Sequence, residues 1–260
     1  MVTMAAVVLA AAVAGRASAQ QSKDQQSCIK TINKDAAKVG KAQGKENAKC
    51  VKNGTKDAVA VNCPTADLKM KVQKKIDKAN ADDMAFCMAD VPGFAYTSAA
   101  NATSAYRQGE LDLLMDVFGT TNLDMPVSSD KVIGGCQFKV MKDLEKVAAA
   151  AAKSFNKCKG DALKSSTVGV GDVQACVGDD TKGKVVAARD KLAADITKKC
   201  STVTVATTFP GECTGASLGT LADCLSARAK CRMCLAQNDA DMLSANCDLI
   251  DNGVADASCP

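Results

Sequence analysis

Apolar residues in the first third of the chain recur at helical spacing, opposite a row of lysines. With Lys34 at 0° and about 100° per residue, Lys34, Lys38, Lys41, Lys45, Lys49 and Lys52 fall between about −20° and +60°. Ile29, Ile32, Ala36 and Val39 lie on the opposite side, near 180°. The pattern predicts an amphipathic helix that Gly40 and Gly44 weaken and whose apolar stripe Gln43 and Glu46 interrupt. A stronger run of the same kind spans Phe138 to Phe155, with Ala148, Ala151 and Ala152 where the first run falters. Two more helical patterns, Ser104 to Phe118 and Leu218 to Gln237, each follow a Pro-Gly break, at Pro92-Gly93 and Pro210-Gly211. The expected fold class is all-α.

Cysteine spacing organises these runs into a repeat. Cys28 and Cys50 are 22 positions apart, as are Cys136 and Cys158; Cys63 and Cys87 are 24 apart, as are Cys176 and Cys200. A shift of 108 superposes Lys34, Asp35, Lys38, Val39, Lys45 and Lys49 on Lys142, Asp143, Lys146, Val147, Lys153 and Lys157. A shift of 113 superposes Asp67, Lys71, Asp77 and Lys78 on Asp180, Lys184, Asp190 and Lys191. A helix holding cysteines 22 residues apart separates them by about 33 Å, whereas a disulfide needs Cα atoms within about 7 Å. In an antiparallel hairpin the start of one rod meets the end of the next. The expected bridges are therefore Cys28–Cys87, Cys50–Cys63, Cys136–Cys200 and Cys158–Cys176. Because a spacing of 24 does not return to one helical face, Cys63 and Cys176 are expected in or just before the first turn of the second helix, with Pro64 fitting that turn.

The organisation read from these patterns is a signal peptide at 1–19, one helical unit at 20–128 and a second at 129–260 with a cysteine-rich tail. Each unit has two hairpin helices and a third, and Gly119 to Gly135 forms the linker. The apolar run Met1 to Ala14, closed by Ala17-Ser18-Ala19, carries the signal-peptide reading. All 14 cysteines follow it, an even number that points to a disulfide framework in a secreted or periplasmic chain. No later segment has the roughly 20 apolar residues of a membrane span. With six Phe, two Tyr and no Trp, the core is poor in large side chains, which gives covalent staples a structural task.

The chain has no histidine. That removes Ser-His-Asp and Cys-His catalysis and imidazole-held zinc, and the expectation is a protein that is not an enzyme. The net charge of +4 conceals a sharp alternation. Residues 23–78 carry 14 basic and 6 acidic groups, 79–130 carry 1 and 8, 131–200 carry 14 and 8, and 201–260 carry 3 and 7.

Lys-rich segments with cysteines at these two spacings, followed by Pro-Gly, a Cys and a C-x-x-C helix, resemble exported cysteine-rich helical-repeat proteins of environmental bacteria. That resemblance implies an exported helical scaffold and brings no activity, cofactor or catalytic residue. In topology the paired cysteines are also similar to twin C-x(n)-C helical-hairpin proteins, which are mostly binding, scaffold or assembly factors.

Three groups of residues remain as candidate chemistry. Lys34, Lys38, Lys45, Lys49, Lys142, Lys146, Lys153 and Lys157 form stripes suited to a polyanion, or to no more than a solvated face. Specific nucleic-acid reading is not expected, since four Arg follow the leader and aromatic side chains are scarce. Self-association of basic hairpin with acidic tail is a further expectation for partners. Cys231-Arg232-Met233-Cys234 has the spacing of a thiol oxidoreductase, but no strand pattern precedes it, and both cysteines belong to a C-terminal set with Cys213, Cys224, Cys247 and Cys259. Six cysteines allow 15 pairings, which stay open. No resident cofactor is expected; the one candidate is calcium, at Asp248, Asp251, Asn252 and Asp256, although their spacing departs from the EF-hand loop.

Overall fold

A computed structural model describes residues 21–56, 62–165 and 169–259. The expected signal peptide lies outside the described residues. Nine helices account for the secondary structure of the described chain, with no strand among those residues: α1 (Lys23–Gly54), α2 (Gln73–Phe86), α3 (Ala99–Phe118), α4 (Lys131–Ala162), α5 (Val170–Gly178), α6 (Lys184–Lys199), α7 (Val205–Thr208), α8 (Leu221–Asp241) and α9 (Cys247–Asp251). None is long and apolar enough to cross a membrane.

The two longest helices, 32 residues each, are the lysine-striped rods. Ser22 opens α1 by accepting from the Gln25 N–H, while the Gln25 side chain returns to the Ser22 N–H. Asp130 opens α4 by accepting from the N–H groups of Val132 and Ile133. Gly134 and Gly135, expected in the linker, instead fall in the first turn of α4. A Cβ on Gly134 would stand 2.3 Å from the Ser128 carbonyl, so the chain enters the helix closely enough to require glycine there. The glycines of α1 likewise mark close approaches: Gly40 lies against Tyr106 and Gly44 against Glu145.

The second rods differ from the expectation. Cys63 lies in a turn ten residues ahead of α2, and Cys176 lies near the end of the separate helix α5, ahead of α6. In both places an aspartate stands in the turn from which the next helix starts. Asp67 (φ 39°) accepts from the N–H groups of Lys71 and Gln73, and Asp180 (φ 35°) from those of Lys184, Val185 and Val186. Met70 (φ 49°) and Gly183 (φ 58°), also 113 positions apart, complete the same turn.

All 14 cysteines are bonded. The rod ends are joined as Cys28–Cys87, Cys50–Cys63, Cys136–Cys200 and Cys158–Cys176, the pairs that antiparallel rods require. The remaining six pair as Cys213–Cys224, Cys231–Cys259 and Cys234–Cys247.

The described residues of 20–128 and of 129–260 share one core. Ile32, Leu113, Leu114 and Phe118 from the first segment and Leu144, Leu192, Phe209 and Leu225 from the second belong to a single buried cluster. At its centre α1 packs on α4 and α3 on α8. The α1–α4 contact is antiparallel: Lys30 meets Gly160, Asn33 meets Asn156, Gly44 meets Glu145 and Lys52 meets Phe138. Lys30 and Phe138 are 108 positions apart, as are Lys52 and Gly160, so each end contact is the counterpart of the other.

Candidate functional site

Antiparallel packing sets the two lysine stripes along one seam. Lys41, Lys45, Lys49 and Lys52 of α1 face Lys142, Lys146 and Lys153 of α4, with Lys184 of α6 at one edge, around a groove of about 740 Å³. Its floor is apolar, built from Ala48, Phe138, Ala149, Ala150 and Ala188. A second hollow of about 320 Å³ continues the seam past Lys41, Ala149 and Lys153 to Lys30, Lys34, Lys38 and Leu163.

The lysines along this seam fall into two classes. Lys38, Lys49 and Lys146 are held by carboxylates of their own helix, at Asp35, Glu46 and Asp143. Lys30, Lys34, Lys41, Lys45, Lys52, Lys142, Lys153 and Lys184 are exposed and have no ion pair among the described residues. Lys52 does lie 5.6 Å from the centre of the Phe138 ring. Of the eight lysines singled out in the sequence, seven line the seam. Lys157 does not; it pairs with Asp161 at 2.7 Å. Lys30, Lys41, Lys52 and Lys184 complete the seam, and helical spacing already placed Lys41 and Lys52 on the α1 stripe.

One acidic side chain stands among these cations. Glu145 of α4 lines the groove yet is nine-tenths buried, its carboxylate set against the bare backbone of Gly44. A Cβ at position 44 would lie 1.4 Å from Glu145 Oε2. Beneath it Glu110 of α3 is 2 % exposed. Among the described residues neither carboxylate has a cationic partner, and Glu110 Oε2 and Glu145 Oε1 are buried without a hydrogen-bond partner. Burial pushes the Glu110 carboxyl up to about 8. Burial, with Glu110 beside it, also holds Glu145 well above the usual carboxylate range.

Below the other end of the seam lies a buried polar network joining four helices. Lys159 of α4 is bonded to Asp241 of α8, and both are almost fully buried. Gln237 donates to Asp241 and, at 3.1 Å, to Asn33 Oδ1; Tyr106 donates to Gln237; Asn156 donates to the Asn33 carbonyl at 3.1 Å. Burial draws the Lys159 amine down to about 8, against the pull of Asp241, and raises Asp241 above its ordinary value. No motif in the sequence announces this network, because its members come from four distant helices.

The other candidates are placed as follows. Cys231 and Cys234 are not bonded to each other; each is tied to a different cysteine of the tail. Asp248, Asp251, Asn252 and Asp256 do gather, around Ser258. Asp248 accepts from the N–H groups of Ala257 and Cys259, Asp256 from that of Ser258, and Asp251 from the Ser258 hydroxyl. Asn252 donates to Asp256 and Ser258. Protein donors thus meet most of these oxygens, while Asp251 Oδ1 is buried without a hydrogen-bond partner; no cluster of three or more acidic or cysteine side chains suited to a metal occurs among the described residues.

No family model, no curated protein and no solved structure matches this chain.

Proposed function

We propose that this is an exported binding protein without catalytic activity, and that the α1–α4 seam holds an extended polyanion. The observation that carries the reading is the convergence of eight lysines, from three helices and with no ion pair among the described residues, along one alanine-floored seam. Like charges brought together repel and destabilise a compact state. The fold neutralises other lysines locally, as at Lys139, which reaches both Asp143 and Asp195. Leaving the seam unneutralised is the arrangement expected where an external anion supplies the missing charge.

The span from Lys30 to Lys52 is about 33 Å at 1.5 Å per residue, long enough for several successive anionic groups of one extended chain. Packed helices, whose axes commonly lie about 8–10 Å apart, leave a shallow channel suited to a single strand rather than a duplex. Export is supported by the leader pattern and by seven disulfides, which form and persist in oxidising compartments. Two tandem units that arose by duplication account for the matched cysteines and matched turns.

The test is retention of the mature chain on immobilised heparin against salt. The logarithm of affinity is expected to fall linearly with log salt, and Lys41→Ala with Lys45→Ala and Lys153→Ala is expected to lower the slope by about 2. Lys157→Ala, outside the seam, is expected to change little. Salt-insensitive retention, or an equal effect of the Lys157 substitution, overturns the proposal.

A further inference from the structure

We infer that Glu110 and Glu145 form a proton-sharing carboxyl pair that gates the lysine groove, holding it ready for a polyanion while protonated and closing it to anions when ionised. This inference rests on the polyanion reading of the groove and adds its regulation.

The geometry comes first. Two buried carboxyl groups from different helices lie within reach of each other, with no ion pair to either among the described residues and with one oxygen of each lacking a hydrogen-bond partner. Two unshared negative charges in such a place are strongly disfavoured, whereas one proton between them turns repulsion into a hydrogen bond. Burial drives both groups toward the protonated form. Glu110 lies deeper, and Glu145 lines the groove, so a proton leaving the pair has a route to solvent through the site itself.

The neighbouring charges define what ionisation does. From α1, Lys41, Lys45 and Lys49 share the groove with Glu145, and Glu46 is held by Lys49 and by Lys71. From α4 itself, Lys142 and Lys146 share it, the latter held by Asp143; α6 adds Lys184. On α3, Arg107 is engaged by Gln43 and the Thr65 carbonyl, and on α8, Arg232 is engaged by Asp116. The cations left to answer a charged Glu145 are therefore the unpaired groove lysines, the same ones that would bind the ligand. On ionisation Glu145 is repelled by Glu110 and attracted by these lysines, so it occupies the groove as an internal anion. By reciprocity, a polyanion that occupies the lysines favours the protonated pair, and its binding takes up a proton.

The sign for the free protein follows from the raised carboxyls. The folded chain keeps a proton that the unfolded chain has released above about pH 4.3, so this pair lowers stability as pH rises from there to about 8.

The experiment measures binding of a heparin oligosaccharide to the full mature chain at constant ionic strength from about pH 6 to about pH 9, for wild type, Glu145→Gln and Glu110→Gln. Wild-type affinity is expected to fall by up to about tenfold per pH unit over part of that range, with proton uptake seen in buffers of different ionisation enthalpy. Either glutamine supplies an N–H to the remaining carboxylate and is expected to flatten the profile; Glu110→Gln serves where Glu145→Gln does not fold. Thermal unfolding of the ligand-free proteins is the second readout, with wild type losing midpoint relative to the variants as pH rises. Salt-dependent binding whose pH profile is the same in wild type and both variants overturns the gate and leaves the polyanion reading intact. Binding at no pH overturns both.

Discussion

Replacing Asp241 with Asn is expected to be among the most damaging single changes in this protein. The substitution leaves the Lys159 amine without its counter-ion and 2 % exposed, at the meeting point of α1, α3, α4 and α8. Removing one partner of a buried ion pair costs about 3–5 kcal/mol, because the remaining charge keeps its desolvation penalty and loses its compensation. For a chain of this size that corresponds to a fall in melting temperature of roughly 6–20 °C. The loss also has a pH signature. Burial already draws the Lys159 amine down to about 8, and without the carboxylate it falls further. An amine whose folded value lies below its unfolded value of about 10.4 binds fewer protons when folded, so stability rises with pH between the two. The deficit of the Asp241→Asn protein should therefore be larger at about pH 6 than at about pH 9. Lys159→Met combined with Asp241→Leu removes both charges and is expected to restore stability to near wild type or above. The assay is calorimetry under non-reducing conditions, with Lys159→Met, Asp241→Leu and the double variant closing a cycle beside Asp241→Asn. An Asp241→Asn protein within about 1 kcal/mol of wild type at both pH values would refute the reasoning, since it would mean that the amine reaches solvent through the groove.

Three other perturbations test the rest of the architecture. Loss of the Cys136–Cys200 bridge by paired Ala substitution, with a sequence separation of 64, is expected to cost about 4 kcal/mol against about 3 for Cys213–Cys224, with a separation of 11, as chemical denaturation can rank. Gly44→Ala places a methyl group on the Glu145 carboxylate and is expected to cost about 1–3 kcal/mol, much of it recovered when Glu145→Ala is added; additive losses would show that the two positions are not in contact. Arg232→Ala breaks a two-pronged pair with Asp116, at 2.7 and 2.8 Å, and leaves a 3 % exposed carboxylate; a loss of about 2–4 kcal/mol is expected, visible as a lower denaturation midpoint, and a change under about 0.5 kcal/mol would place that pair in effective contact with water.

Much of the helical architecture was legible because helical signals are local. A lysine every three or four residues, an opposed apolar face and cysteines one rod-length apart are properties of a single helix, readable from a period of 3.6 residues. Antiparallel rods then leave one sensible pairing for Cys28, Cys50, Cys63 and Cys87 and for their counterparts. Where the local signal was ambiguous the expectations slipped. The 24-residue spacing concealed the breaks at Asp67 and Asp180, which a side chain capping the backbone decides, and the glycines at 134 and 135 read as linker although the close passage of Ser128 places them inside α4.

Relations between helices were beyond such reading. That the α1 and α4 stripes share one groove depends on the register of their antiparallel packing, and a rotation of either rod would have turned its lysines separately to solvent. Glu110 and Glu145 meet only because Gly44 leaves room, and Lys159, Asp241, Gln237, Tyr106 and Asn33 form a network only where four helices converge. The bonding of Cys231 to Cys259 and Cys234 to Cys247, rather than to each other, is likewise a choice among 15 connectivities made by the folded tail. Periodicity along a chain specifies which face of each helix is apolar, charged or cysteine-bearing; which faces meet is set by side-chain volume and close packing in three dimensions.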